Sequence, residues 1–306
     1  MPSVDLIARD GASRYPLPPV LYRLLSLNVP GVEDAPEAGA VLAEVVALDG
    51  DLVRRLRFTA GAEGPWRDRT DRQPFEVAVR DLGFRRVHTA ALAITVIGGL
   101  PVKTTVVDYL RFWRYSMAVA YLTQSVAYHR RVEGVEFGAA AGLFHDVGRL
   151  LMEDADPDGM RRARERQVAG EGPWLDVERE EVGFTAYELT MALLRAWRFP
   201  APMIEAVRGI GGDAPTPLSE VLRDAMLTAR ALDFATKTGR RHEVVPDVQY
   251  VIDRYFGGIS GFTERVDAML GAAMIAISYT ADDPDGTITP SARGQQPAAK
   301  SGPGAL

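Results

Sequence analysis

Cysteine is missing from all 306 residues. That absence excludes a disulfide framework, a thiolate zinc site, an iron–sulfur cluster and a cysteine nucleophile. Histidine is scarce: only His88, His129, His145 and His242 occur, so an imidazole-rich metal centre has few donors to draw on. Long apolar runs are missing too. The longest, 90–102, is interrupted by Thr95 and by Gly98-Gly99, and no membrane span is expected. The opening MPSVDLIARDG sets no apolar core behind a basic segment, so no signal peptide is expected and the expected location is cytoplasmic. Nor is there a basic excess. Lys and Arg number 35 against 41 Asp and Glu, a net charge of -6, which gives no global footprint for nucleic acid while leaving room for a local basic patch. What remains, 47% hydrophobic and 25% charged residues, is the composition of a folded globular chain.

Period-2 alternation is hard to find for more than a few residues, whereas helical spacing dominates, and an all-α fold is expected. Val20, Leu21, Leu24 and Leu25 form a stripe behind Pro18-Pro19, and Leu42, Val45 and Val46 form the next. Asp49 reads as the N-cap of a helix over 51–59. A helix over 75–82 should end at Gly83 in a left-handed cap, with another starting at about Phe84. Gly98, Gly99 and Pro101 then punctuate the chain. Two lobes are therefore expected: short helices over 15–103 and a helical bundle over 104–280. In the bundle, helices are expected over 106–130, 135–152, 158–168, 175–182, 185–197, 201–207, 218–238 and 262–279. The one over 135–152, with its thin waist at Gly138 to Gly142, should be the buried centre. The stretch 281–306, rich in Gly and Pro, is expected to be a disordered tail.

Within the helix expected at the centre lies the pair His145-Asp146. Buried ionisable side chains must be paired or neutralised, so the pair is either a site or a hydrogen-bonded anchor. Arg161, Arg162, Arg164 and Arg166 are interleaved with Glu165 and read first as a solvated helix face, second as a basic face for phosphates together with Arg85 and Arg86. The loop 209–217 and the segment 61–74 flank a groove between the lobes. There Arg208 and Arg230 are candidate contacts for anions and Trp66 a candidate aromatic anchor. Trp113 and Trp197 read as core.

The segment Phe144-His145-Asp146-Val147-Gly148-Arg149-Leu150 resembles the His-Asp signature of HD-type helical bundles. More closely, the chain resembles the HDOD family, the HD-related output domain of bacterial signalling proteins. The likeness also rests on Leu17-Pro18-Pro19-Val20 with Leu24-Leu25, on Glu44-Val45-Val46 with Asp49 and the apolar positions that follow, and on Val77-Ala78-Val79 with Leu82-Gly83-Phe84-Arg85-Arg86. Phe112-Trp113-Arg114 and Glu188-Leu189 with Leu193-Leu194, Trp197 and Pro200 extend it to about Lys237.

The resemblance implies where a catalytic HD protein would carry metal ligands, and this chain departs there. Tyr115 stands at the first His position, Ala186 follows Gly183-Phe184-Thr185 where a His is frequent, Ile210 and Gly211 fall at the paired histidines, and Arg230 falls at the later Asp. His129, fourteen residues beyond Tyr115 on the same expected helix, would lie roughly 21 Å away at about 1.5 Å per residue and cannot substitute. The expectation is therefore a cofactor-free, metal-free, non-catalytic regulatory module that acts through protein contacts. A metal-dependent phosphohydrolase or phosphodiesterase acting on nucleotides, and a sensor binding a nucleotide second messenger or nucleic acid, are the alternatives.

Overall fold

Caps and apolar stripes together decide where the helices start and stop, and among the described residues every regular element is helical. The computed structural model describes residues 3–27, 35, 37–63, 75–100, 104–212, 214–232, 234 and 244–278. Trp66, His242, most of the segment 61–74 and the tail expected from 281 lie outside them, as do the side chains of Arg85 and Arg86. The chain begins with α1 (Val4–Arg14) and continues through α2 (Pro19–Ser26), α3 (Ala38–Ala47), α4 (Gly50–Glu63), α5 (Phe75–Leu82) and α6 (Phe84–Gly99). The bundle contains α7 (Tyr109–Arg130), a 3-10 turn at Val135–Phe137, α8 (Gly138–Phe144), α9 (Gly148–Ala155), α10 (Pro157–Val168) and α11 (Trp174–Val182). There follow α12 (Ala186–Ala196), α13 (Ala201–Arg208), a 3-10 turn at Gly209–Gly211, α14 (Pro217–Ala231), α15 (Pro246–Phe256) and α16 (Ile259–Ser278).

Of the two caps expected in the first lobe, one forms. Asp49 Oδ1 accepts from the amides of Asp51 and Leu52, both at 3.0 Å, and so caps α4. Gly83 has φ +86°, but its ψ of 145° is extended, so it joins α5 to α6 by a corner instead of a left-handed helical cap. Leu21, Leu24, Leu42 and Val46 are fully buried where α2, α3, α4 and α6 meet.

Tertiary contacts alter three expectations. The single helix expected over 135–152 is two helices, α8 and α9, separated by a tight turn at 145–147. α1 and α15 are helices that the sequence reading did not place. α1 lies against α12 and α9, and Arg14 pairs with Asp154 at 2.5 Å. Trp197 Nε1 donates to Tyr15 O at 3.1 Å, which fixes the chain leaving α1 onto the bundle. At the far end of the chain, α16 packs on α4 and α6 as well as on α7 and α15. Both ends of the described chain thus reach across, and the buried apolar residues of the lobes form one continuous core.

α7 is the axis of the bundle. Trp113, Ala118, Val119, Leu122 and Val126 are wholly buried on it, between α8, α14, α15 and α16. α8 approaches it closely. A Cβ at Gly142 would stand 2.5 Å from Ala120 Cα and 2.8 Å from Val119 O, closer than any side chain could be accommodated.

Candidate functional site

The turn at 145–147 is built by a hydrogen bond from outside the segment. Gly148 N does not continue an α-helical ladder but donates to Thr190 Oγ1 of α12 at 2.9 Å. A Cβ there would collide with Ala186 O and come within 2.5 Å of Thr190 N, so α12 lies directly against this amide. The chain meanwhile closes i to i−3 bonds: Val147 N to Phe144 O at 3.2 Å, Arg149 N to Asp146 O at 3.0 Å and Leu150 N to Val147 O at 3.2 Å. His145 and Asp146 are held on that turn.

His145 is 1% exposed. Its Nδ1 is 2.7 Å from Gly142 O, and because a carbonyl only accepts, Nδ1 carries the proton in the neutral ring. Nε2 is then a bare acceptor, buried and without a partner among the described residues. Burial pushes the imidazole pKa down, a shift that the nearby Asp146 carboxylate only partly opposes. The ring of Tyr115 meets His145 edge-on at 5.4 Å between centroids. Burial pushes the phenol of Tyr115 up to about 12, so it is a hydrogen-bond donor at neutral pH. Beyond it, the Arg230 guanidinium carbon lies 5.9 Å from the Tyr115 ring centre. Tyr187, in the first turn of α12 and half-buried, is likewise raised above the ordinary phenol range, first by burial and then by the charge of Asp146.

Asp146 is already occupied. Arg149 grips it with two nitrogens, Nε to Oδ2 at 2.6 Å and Nη2 to Oδ1 at 3.2 Å. The third nitrogen, Nη1, reaches Glu178 Oε1 at 2.6 Å, and the other oxygen of Glu178 accepts from Ala186 N at 2.9 Å. The Glu178 side chain is fully buried and that of Arg149 is 16% exposed. Trp174 covers the guanidinium at 4.7 Å from its ring centre. Burial works against the charge on Arg149, but Asp146 and Glu178 outweigh it and raise its pKa above the ordinary arginine value.

These donors do not fit the divalent cation of a catalytic HD centre. A cation wants roughly four to six donors, whereas here one imidazole nitrogen is open, the adjacent carboxylate is held at both oxygens by a guanidinium, and Tyr115 and Arg230 complete the surround. Ala186 contributes a backbone amide that Glu178 already uses. Ile210 and Gly211 form a 3-10 turn with no ligating side chain. Among the described residues no three His, Cys, Asp or Glu side chains are grouped to hold a metal. His88 sits apart in the first lobe with Nε2 2.7 Å from Leu24 O, and His129 stacks near Tyr250 and Tyr255.

The remaining candidates fall into two groups. Arg208 is exposed and pairs with Glu205 one turn back. On α10, Arg161 pairs with Asp158 at 2.5 Å, Arg162 with Glu181 at 2.8 Å, and Arg166 with Glu180 and Glu181, both at 2.8 Å, and with Glu171 at 3.3 Å. Arg164 differs from these three in its partners. It is half-buried, among the described residues hydrogen-bonds only Gln167 Oε1, at 2.7 Å, and has its pKa lowered by burial and by the charges of Arg149 and Arg111. Glu178, Trp174 and Tyr187 went unnoticed in the sequence. For Glu178 a signal existed, since Val177 and Val182 mark the buried face of α11 and Glu178 lies four residues before Val182 on it. An ionisable residue on an apolar face asks for a partner.

Comparisons with known proteins agree with this architecture. The model of the HDOD domain family matches residues 69–210. A provisionally named phosphohydrolase from Shewanella amazonensis SB2B is 22% identical with a TM-score of 0.55, covering 90% of this chain and 97% of its own. An HDOD domain protein of unknown function from Geobacter sulfurreducens is 18% identical with a TM-score of 0.55, over 89% and 95%. A provisionally named signal transduction protein from Marinobacter aquaeolei VT8 is 19% identical with a TM-score of 0.56, over 90% and 67%. At these identities the likeness is one of fold. No curated protein matches the chain. The match is to the HDOD domain over residues 69–210, with the His-Asp turn near its centre.

Proposed function

We propose that this chain is a non-catalytic regulatory module of a cytoplasmic bacterial signalling pathway that acts by contacts with a protein partner or ligand. The observation that carries the reading is the double grip of Arg149 on Asp146, which takes up the carboxylate a metal would need. Tyr115 and Arg230 stand where the resemblance would put a His and an Asp. The match of residues 69–210 to the HDOD domain and the signalling role named for the Marinobacter protein support it. No helix of the described residues is long and apolar enough to cross a membrane.

The test is the metal content of the purified full chain, together with hydrolysis of a panel of nucleotides and cyclic dinucleotides in the presence of manganese or magnesium. The expected result is no stoichiometric metal and no turnover. Metal-dependent hydrolysis that disappears in Asp146→Asn would replace this reading with the phosphohydrolase named for the Shewanella protein.

A further inference from the structure

Two stretches of the chain are free of carboxylates, and the fold brings them together. From Tyr15 to Leu27 the one charged residue is Arg23, and from Leu189 to Ile204 the charged residues are Arg195 and Arg198 alone. In a chain with 41 acids against 35 bases, two such stretches side by side reverse the sign of the charge locally. Three contacts join them. Trp197 Nε1 donates to Tyr15 O at 3.1 Å, Tyr22 Oη donates to Trp197 O at 2.6 Å, and the Tyr22 ring lies 5.4 Å from that of Phe199. The start of α2 is thereby seated on the corner that ends α12.

All three arginines are exposed, and among the described residues none has an ion pair. Carboxylates on neighbouring helices are engaged elsewhere: Asp10 and Asp154 are held by Arg14, and Glu205 by Arg208. Arg198 stands between the buried rings of Trp197 and Phe199 with φ +61°, where a glycine would end the helix at less cost, so the backbone itself turns this side chain outward. Pro16, Pro19, Pro200 and Pro202 are exposed around the corner and stiffen its backbone, which leaves little freedom to lose on binding. Tyr22 is exposed too, with its hydroxyl fixed on Trp197 O.

We infer that this corner is the docking face for an acidic segment of a partner protein, whose carboxylates meet Arg23, Arg195 and Arg198 while a neighbouring side chain packs on Tyr22. Guanidinium forks match carboxylate geometry, and arginine and tyrosine on a rigid base are residue types that carry binding energy at protein interfaces. A nucleic acid or an anionic membrane fits less well. Three cations release few counterions, and the exposed acids Asp5 of α1 and Glu37 and Glu44 at α3, on helices that pack against α12 and α2, would repel an extended polyanion or a flat charged sheet. Docking here needs no chemistry at the His145-Asp146 turn and goes beyond the non-catalytic reading, which names neither surface nor partner.

The experiment is fluorescence anisotropy of a labelled hexaglutamate peptide titrated with the full chain, in wild type, in Arg195→Gln, in Arg198→Gln, in the double variant of these two and in Arg161→Gln. Saturable binding is expected that weakens as salt rises. Affinity should fall by about threefold in each corner variant and about tenfold in the double variant. It should stay unchanged in Arg161→Gln, which removes the same charge from an arginine already paired with Asp158. The corner arginines hold no carboxylate in the fold, so thermal midpoints should match that of wild type, and Arg195→Gln, free of the positive φ, keeps the test valid if Arg198→Gln folds poorly. Absence of saturable binding in wild type overturns the inference, and so does equal weakening in Arg161→Gln, which would signal general surface charge. Tighter, Arg195-dependent binding of a short oligothymidylate or of phosphatidylserine vesicles would overturn the assignment to a protein segment.

Discussion

Two sets of arginine–carboxylate pairs stand side by side, one on the inner end of α9 and the other on the outer face of α10. Their lengths are alike. Arg149 meets Asp146 and Glu178 at 2.6 Å, while Arg161, Arg162 and Arg166 meet their partners at 2.5–2.8 Å in their closest contacts. Burial separates their extremes: the Glu178 side chain is 0% exposed, whereas those of Asp158 and Glu180 are 73% and 61% exposed, with Asp146 at 17% and Glu181 at 19% between them. Distance alone therefore does not rank these pairs. Inside, a lost partner is not replaced by water and only a few fixed groups remain; outside, water replaces a lost partner at small cost. The inner set is an anchor joining the turn, α11 and the N-terminus of α12, and the outer set is a solvated surface whose charge is largely spent.

The largest difference should come from cutting the inner set at its hub. Arg149→Ala leaves Glu178 charged and buried with only the Ala186 amide, and a loss of about 3–5 kcal/mol in denaturant unfolding is expected. Replacing Arg149, Asp146 and Glu178 together by apolar residues of similar volume should recover most of that loss. If Arg149→Ala cost no more than a surface pair, the contrast between the sets would collapse.

Removing one spoke should cost less. Asp146→Ala leaves Arg149 with Glu178 and with the face of Trp174, so about 1–3 kcal/mol is expected, with the far-ultraviolet spectrum unchanged. A loss as large as that of Arg149→Ala would shift the anchor from Glu178 to Asp146.

The pH response sharpens the comparison through His145. In the unfolded chain it titrates near the ordinary imidazole value of 6.5, and burial depresses its pKa in the folded chain. Below 6.5, down to the depressed value, the unfolded state binds more protons, so this part of the stability is complete above pH 6.5 and is lost as the pH falls. The slope can reach about 1.4 kcal/mol per pH unit within that window. Melting followed from about pH 7.5 to about pH 5 should therefore show a smaller decline in His145→Gln than in wild type. Parallel declines would mean that His145 is not held neutral.

Sequence alone revealed the all-α class, the cap at Asp49 and the His-Asp signature, because each is written within a few neighbouring residues. The partners of that signature were not legible. Thr190, which captures the Gly148 amide and breaks the expected 135–152 helix, is 42 residues further on, and Glu178 lies 29 residues beyond Arg149. No periodicity encodes such a meeting. α15 is a different case, since Pro246 at its first turn, Val248, Val251 and Ile252 on one face and Gly257 behind it were all available. On α10 the interleaved Glu165 suggested local neutralisation, yet most of the acidic partners come from α11 and the turn before it, so only the structure distinguishes Arg164 from its paired neighbours.

The smallest effect is expected on the outer face. Arg161→Ala removes an i, i+3 pair whose side chains are 58% and 73% exposed, on a helix that keeps Asp156 as its N-cap, with Oδ1 accepting from Gly159 N at 2.9 Å. The pair gains little Coulomb energy in water and holds two long side chains in one geometry, so it should contribute no more than about 0.5 kcal/mol, and less in high salt. Asp158 also sits in the first turn of α10, where the helix dipole favours a negative charge whether or not Arg161 is present. Denaturant midpoints of wild type and Arg161→Ala should therefore agree within error in high salt and differ only slightly in low salt. A salt-independent loss approaching that of Asp146→Ala would show that the face of α10 packs against something, and that its charges are not solvated as their exposure implies.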